Sequence, residues 1–107
     1  MIPPPVAGGA PAHPVAYVYL LQSQVDGTTY VGWTTDPVRR LVEHNAGQAP
    51  STRRKQPWRL IGVEAHPTSE SAKRYERALK RNHRMRRFFT KRLLNRAANG
   101  RPRRVGG

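Results

Sequence analysis

The sequence predicts a small α/β protein of the α+β type, in which helices pack on a mixed three-stranded sheet in the order β-β-α-β-α-α. Two β-prone runs are joined by Asp26-Gly27, a dipeptide typical of hairpin turns. A third such run follows a polar loop, and the apolar residues after it recur at helical spacing. Because 107 residues leave room for one modest core, we expect a single domain.

The first two strands form the predicted hairpin. Ala16 to Leu21 is apolar on both faces, which indicates a strand covered on both sides, and Thr28 to Trp33 is its partner. The third strand is expected within Trp58 to Ala65, before Pro67.

The first helix is predicted over residues 37–46. Thr35-Asp36 supplies a capping side chain, Pro37 suits the first helical position and Gly47 stops the helix. Its expected buried residues are Val38, Leu41 and Val42.

Two more helices are predicted in the second half of the chain. Thr68 or Ser69 can cap one over residues 70–81, and the other covers residues 84–97. The side chains expected to be buried in the last helix are Met85, Phe88, Phe89 and Leu93.

Residues 1–14 are expected to be a disordered Pro-rich lead, 15–97 the folded domain and 98–107 a basic flexible tail.

Composition and charge indicate the class of function. Twenty Lys and Arg against six Asp and Glu give a net charge of +14, which favours nucleic acid as the partner. We expect no membrane binding, since no helix has a broad apolar face, and no Cys-ligated zinc, since cysteine is absent. The expected location is cytoplasmic, and nucleoid-associated in a bacterium.

Glu76 is the one acid between Lys73 and Arg104, a segment with fourteen Lys and Arg residues. It shares a helix face with Ala72, Tyr75 and Leu79, so the carboxylate should lie in or beside the buried stripe. A half-buried carboxylate needs a cation, which is either a neighbouring lysine such as Lys73 or Lys80, or a bound metal. Helical geometry leaves both open.

Four motifs, taken together, resemble the GIY-YIG nuclease superfamily. They are Tyr17-Val18-Tyr19, Tyr30-Val31-Gly32, the arginine-rich segment from Asp36 to Asn45, and Lys73-Arg74-Tyr75-Glu76. The sequence is similar to small stand-alone bacterial members and to the catalytic domain of the structure-specific resolvase subunit. More distantly it is similar to the incision subunit of nucleotide excision repair. The resemblance implies roles in DNA repair or recombination.

The resemblance assigns roles to individual residues. It implies catalytic roles for Tyr19, Tyr30, Arg40, His44 and Glu76, with Glu76 holding one Mg²⁺ or Mn²⁺ ion, and a structural role for Gly32, where a side chain would obstruct the site. One of the two tyrosines takes the proton from the attacking water. The late asparagine of some relatives has no clear match, and Asn82 is a weak substitute.

The predicted activity is metal-dependent endonucleolytic cleavage of branched, single-stranded or duplex DNA, giving 5′-phosphate and 3′-hydroxyl ends. Nothing indicates reading of base edges, a small-molecule cofactor or a particular protein partner. Trp33 and Trp58 are expected in the core rather than on bases. The alternative is a non-catalytic basic DNA- or RNA-binding protein with a vestigial site. Expected phosphate contacts are Arg39, Arg53, Arg54, Lys55, Lys80, Arg81 and Arg84.

Overall fold

A computed structural model describes residues 14–99 and confirms the predicted order of elements. The sheet and the helices make an α+β fold, as the sequence predicts. The strands are β1 (Ala16–Ser23), β2 (Thr29–Thr34) and β3 (Trp58–His66); the helices are α1 (Pro37–Asn45), α2 (Ser69–Arg81) and α3 (His83–Asn99), with a short 3₁₀ turn at Arg53–Lys55.

The sheet is antiparallel throughout, which corrects the prediction of a mixed sheet. Its strand order is β2-β1-β3. The crossover through α1 joins two strands that run in the same direction, but β1 lies between them and is antiparallel to both. Tyr19, near the middle of β1, therefore has Gly32 on one side and Val63 on the other.

Helices cover both faces of the sheet, as the two-sided apolar pattern of β1 predicts. On one face α2 and α3 close a buried cluster formed by Ala16, Val18, Leu20, Val31, Ala72, Leu79, Phe89 and Leu93. On the other face, Leu41 of α1 packs against a smaller cluster of Tyr19, Leu21 and Trp58. The smaller cluster contains the tyrosine predicted to be catalytic.

The predicted helix caps are present. The Asp36 carboxylate accepts a hydrogen bond from the Arg39 amide at 3.1 Å, and the Thr68 hydroxyl accepts one from the Ser71 amide at 3.0 Å. Thr68 rather than Ser69 is therefore the cap of α2. Gly47 follows α1 at φ +76°, a conformation that glycine adopts without strain.

Three predicted core residues lie on the surface. Val38 and Val42 are 69% and 62% exposed, because α1 turns His44 inward instead. Phe88 is 58% exposed, whereas Phe89 is fully buried. Adjacent helical residues point about 100° apart, and α3 turns Phe89 and Leu93 toward the core, which leaves Phe88 on its outer side.

The division of the chain into a lead, a folded domain and a tail stays a prediction. Residues 98 and 99, assigned to the tail, belong to α3. The rest of the predicted tail, and residues 1–13 of the predicted lead, lie outside the described residues. Between residues 14 and 99, no helix combines the length and apolar character needed to cross a membrane.

Candidate active site

Tyr19 and Gly32 are paired across adjacent strands, with their side-chain positions on the same face of the sheet. Tyr19 is 2% exposed. A Cβ atom built on Gly32 would overlap the hydroxyl oxygen and the Cζ atom of Tyr19. The glycine thus leaves the space that the phenol occupies, which gives a physical reason for the structural role predicted for Gly32.

His44 is fully buried and links Tyr19 to the loop that follows α1. Its Nε2 lies 2.8 Å from the Tyr19 hydroxyl and its Nδ1 lies 2.6 Å from the Thr52 hydroxyl. Because the Thr52 hydroxyl donates its proton to the Ala49 carbonyl at 3.3 Å, it accepts from Nδ1–H. This assignment leaves Nε2 as the acceptor of the Tyr19 proton.

Arg40 lies beside the tyrosine and is held by its own helix. Its Nη1 donates to Glu43 Oε1 at 2.9 Å, and Arg39 Nε lies 3.9 Å from the other Glu43 oxygen. Burial raises the pKa of the Tyr19 hydroxyl, and the hydrogen bond and the positive charge of the Arg40 guanidinium both lower it. A carboxylate one turn along the helix thus orients the arginine against the phenol.

Glu76 approaches the two tyrosines from α2. Its carboxylate pairs with Lys80 Nζ at 2.8 Å, and the same ammonium lies 5.1 Å from the centre of the Tyr30 ring. The Tyr30 ring centre is in turn 6.4 Å from that of Tyr19 and 5.2 Å from that of His44. The five residues predicted to be catalytic therefore converge on one region. The lysine partner that the sequence left open for Glu76 is Lys80.

Burial keeps both hydrogen-bonded groups of the site neutral. It raises the pKa of Tyr19 to about 12; the Arg40 guanidinium opposes this rise, and the charges of Tyr30 and Glu76 add to it. Burial also lowers the pKa of His44, with a further lowering from the Arg40 charge. A neutral phenol donating to a neutral imidazole is consistent with both shifts.

These shifts predict how stability depends on pH. The raised pKa of Tyr19 contributes stability that is complete below pH 10 and is lost as the pH rises toward about 12. The lowered pKa of His44 contributes stability that is complete above pH 6.5 and is lost as the pH falls below it. We expect the free energy of unfolding to be highest between these limits. Denaturant unfolding of wild type and Tyr19→Phe at pH 9 and pH 11 measures the tyrosine part.

The expected tyrosine part is about 1 kcal/mol, by which wild type loses more stability than Tyr19→Phe between pH 9 and pH 11. The comparison cancels the contribution of Tyr75, whose pKa burial also raises. Equal losses in both proteins would contradict the assigned state of Tyr19.

The family-model comparison decides which family contains this fold and site. A model of the GIY-YIG catalytic domain matches residues 15–90. The chain belongs to the GIY-YIG catalytic domain family. This GIY-YIG domain implies nuclease activity.

Several bacterial proteins are similar to this GIY-YIG chain. The UPF0213 protein of Halalkalibacterium halodurans is 43% identical over 65 residues, which are 60% of this chain and 68% of that protein. A UPF0213 protein of Streptococcus pneumoniae is 43% identical over 70 residues, which are 64% and 70% of the two chains. The solution NMR structure of the first relative, named there as from Bacillus halodurans, has a TM-score of 0.45 and 38% identity. It covers 73% of this chain and 83% of its own. The names of these relatives specify no substrate.

GIY-YIG nucleases generally use divalent metal ions, and Glu76 is the predicted ligand here. Within residues 14–99 no group of three His, Asp or Glu side chains is arranged to hold a metal ion. The Glu76 side chain is 16% exposed and carries one hard carboxylate. Mg²⁺ in phosphate-processing sites is often bound through one or two carboxylates together with water and phosphate oxygens, so the residue fits that chemistry.

Sequence reasoning missed two residues of the site, Thr52 and Glu43. Thr52 has no signal in the sequence: it lies in an irregular loop, where it fixes the tautomer of His44, and the Trp58 indole holds that loop through a 2.8 Å hydrogen bond to the Thr52 carbonyl. Glu43 follows Arg40 at i+3, a spacing that would have identified it as a partner. The Asn82 side chain accepts a hydrogen bond from the Met85 amide at the start of α3, and its part as a weak substitute for the missing asparagine stays a prediction.

The residues predicted to contact phosphate lie in several separate parts of the fold. Arg39 and Lys80 flank the site, while Arg53 and Arg54 follow Thr52 in the loop. Lys55 pairs with Asp26 in the hairpin turn at 3.2 Å, so its charge is partly neutralised there. The remaining two lie further along the chain, Arg81 at the end of α2 and Arg84 on α3.

Proposed function

We propose that the chain is a divalent-metal-dependent endonuclease that hydrolyses DNA phosphodiester bonds and selects its target by strandedness or branching rather than by base sequence. The observation that supports this best is the convergence of Tyr19, Tyr30, Arg40, His44 and Glu76 on one region of a strongly basic domain. The expected products carry 5′-phosphate and 3′-hydroxyl ends.

Arg40 is the proposed partner of the scissile phosphate. Attack of water on phosphorus builds negative charge on the non-bridging oxygens, and a guanidinium offers two parallel N–H donors to them. Glu43 occupies one edge of Arg40 at 2.9 Å and fixes its direction. A lysine at this position would keep the charge and lose the paired donors.

Glu76 is the proposed ligand of one Mg²⁺ or Mn²⁺ ion. When bound, such an ion neutralises charge on the departing 3′ oxygen. Lys80 holds the same carboxylate at 2.8 Å and keeps it beside the Tyr30 ring. Binding of a metal at Glu76 must therefore weaken or replace this ion pair.

Tyr30 is the better placed of the two tyrosines to take the proton from water. Tyr19 is 2% exposed, already donates to His44, and has a pKa raised to about 12, all of which keep its phenol protonated and unable to accept a proton from water. Tyr30 is half-buried and packs against the Tyr19–His44 pair. We assign Tyr19 and His44 to holding Arg40 and Tyr30 in position.

A cleavage assay on end-labelled DNA tests the proposal. Wild type with Mg²⁺ or Mn²⁺ should cut at least one of four substrates, namely single strand, duplex, flap or four-way junction, and EDTA should stop it. Tyr30→Phe should retain binding and lose cutting, whereas Tyr19→Phe should keep part of the activity.

The second candidate function is a non-catalytic DNA- or RNA-binding protein. One observation favours it: the Glu76 carboxylate is already neutralised by Lys80. Tight binding of every substrate, with no metal-dependent cutting by wild type, would establish this alternative and overturn the nuclease proposal.

A further inference from the structure

The outer face of α3 carries a stripe of four exposed side chains that the candidate site does not use. Arg84, Phe88, Lys91 and Asn95 follow one another at i, i+4, i+7 and i+11, so they line one side of the helix over about 16 Å. The buried residues Phe89 and Leu93 lie on the opposite side of the same helix. The stripe therefore faces away from the core.

Phe88 is the unusual member of this stripe. Its ring is 58% exposed, and the Arg84 guanidinium lies 6.0 Å from the ring centre. A groove of about 470 Å³ beside it is lined by Phe88, Lys91, Arg92 and Asn95. An exposed ring among cations and an amide is the arrangement on which unpaired bases stack in proteins that bind single strands.

The charge of α3 identifies the kind of partner. The helix has no acidic residue, and among residues 14–99 nothing forms an ion pair with Arg84, Arg87 or Lys91. A second groove of about 390 Å³, which shares Lys91 and Asn95 with the first, adds the side chains of Arg86 and Arg87. A second copy of the chain docked on this face would bring like charges together, whereas a phosphate backbone complements them.

We propose that this face of α3 is a second nucleic-acid-binding surface, on which an unpaired base stacks on Phe88 while Arg87 and Lys91 contact the flanking phosphates. The inference rests on the proposed nuclease function only in taking DNA as the ligand. Phe89 and Leu93 pack with Val18 and Leu20, on the face of the sheet opposite to the Tyr19 cluster. A strand that engages both surfaces must therefore pass around an edge of the sheet.

The proposed surface on α3 predicts which form of DNA the protein prefers. DNA with an unpaired stretch beyond the cut position can occupy both surfaces at once, and a plain duplex can place only phosphates on α3. The preferred target is then DNA that carries a single-stranded arm.

Binding without metal tests the surface separately from catalysis. The full chain carrying Glu76→Gln is titrated into labelled oligothymidylate, or into duplex of equal length, in EDTA, and fluorescence anisotropy is measured. Adding Phe88→Ala should weaken oligothymidylate binding by about 5- to 100-fold and change duplex binding by less than about two-fold. Phe88→Tyr should restore oligothymidylate binding. Lys91→Ala should weaken the binding of both oligothymidylate and duplex, and should lower the slope of log affinity against log salt by about one.

Two control variants isolate the effect, since both change exposed residues elsewhere. Val25→Ala removes an apolar side chain that is 66% exposed in the hairpin turn, and Arg74→Ala removes a surface charge from α2. Val25→Ala should leave binding unchanged, and Arg74→Ala should affect single strand and duplex alike. Because cutting is not measured, the result stands whether or not the wild type is a nuclease.

Three outcomes would overturn the proposal. The first is equal affinity of Phe88→Ala and its parent for oligothymidylate, and the second is an equal loss of affinity for single strand and duplex. The third is a dimer in sedimentation that Phe88→Ala dissociates, which would make a second copy of the chain the occupant.

Discussion

Glu76→Gln is expected to lower the single-turnover rate of DNA cleavage by roughly 100- to 10,000-fold, because the amide cannot hold a divalent ion as a carboxylate does. DNA affinity should be kept or rise slightly, since Lys80 loses its 2.8 Å partner and becomes free to contact phosphate. Thermal unfolding should change little. Quench-flow cleavage and anisotropy measure the two effects on one protein preparation.

Glu64→Gln is the matched control for Glu76→Gln. Glu64 is also a largely buried carboxylate in an ion pair, with Arg92 at 2.8 Å and Arg96 at 3.6 Å, but it lies on β3 and has no contact with the candidate site among the described residues. Its cleavage rate should stay within about three-fold of wild type. If both variants lose the same activity, Glu76 acts on stability or overall charge and not on the reaction.

Gly32→Ala has the second largest expected effect. The added Cβ atom would overlap the Tyr19 hydroxyl, so the ring must move and its 2.8 Å hydrogen bond to His44 must break. We expect a loss of about 1 to 3 kcal/mol in stability, as for overpacking of a core, and about a 100-fold fall in the cleavage rate. Denaturant unfolding and single-turnover kinetics measure the two quantities.

Gly62→Ala provides the comparison on the other edge of the sheet. Gly62 pairs with Leu20 of the same central strand, and its added Cβ atom would approach Leu93 at 3.4 Å without overlap. Gly62→Ala should change the free energy of unfolding little and leave the cleavage rate close to that of wild type. Full activity of a folded Gly32→Ala variant would show that the position of Tyr19 is not needed for the reaction.

The element order could be predicted because each signal is local. Asp36 and Thr68 cap their helices through hydrogen bonds to residues three positions later, and Gly47 ends α1 by its own backbone conformation. The apolar run of β1 required no knowledge of its partners to indicate burial on both faces. Such features depend on nearby residues and are readable from the chain.

The direction in which α1 faces could not be predicted in the same way. Val38 and Val42 appear apolar enough for the core, but the Tyr19 hydroxyl and Thr52 give His44 two buried partners and so favour its burial. These partners are 25 and 8 residues away from His44. A preference set by such distant contacts has no local periodicity to reveal it.

The composition of the candidate site was predictable by resemblance, and only part of its internal connections was. The motifs identified the tyrosines and Arg40, and helical spacing offered Lys80 as a partner for Glu76 and Glu43 as a partner for Arg40. The hydrogen bonds from His44 to Tyr19 and Thr52 join separate elements and have no such local signal. The exposure of Phe88 is likewise visible only when α3 is placed on the sheet.

The most direct test of a single shared site is a double-mutant cycle between Arg40 and Glu76, followed by single-turnover cleavage of one DNA substrate. If both side chains act on the same scissile phosphate, Arg40→Ala combined with Glu76→Gln should be about as slow as the slower single variant, since groups that act as a unit are strongly non-additive. Rate losses that multiply, or an Arg40→Ala variant that cuts at the wild-type rate, would contradict the account.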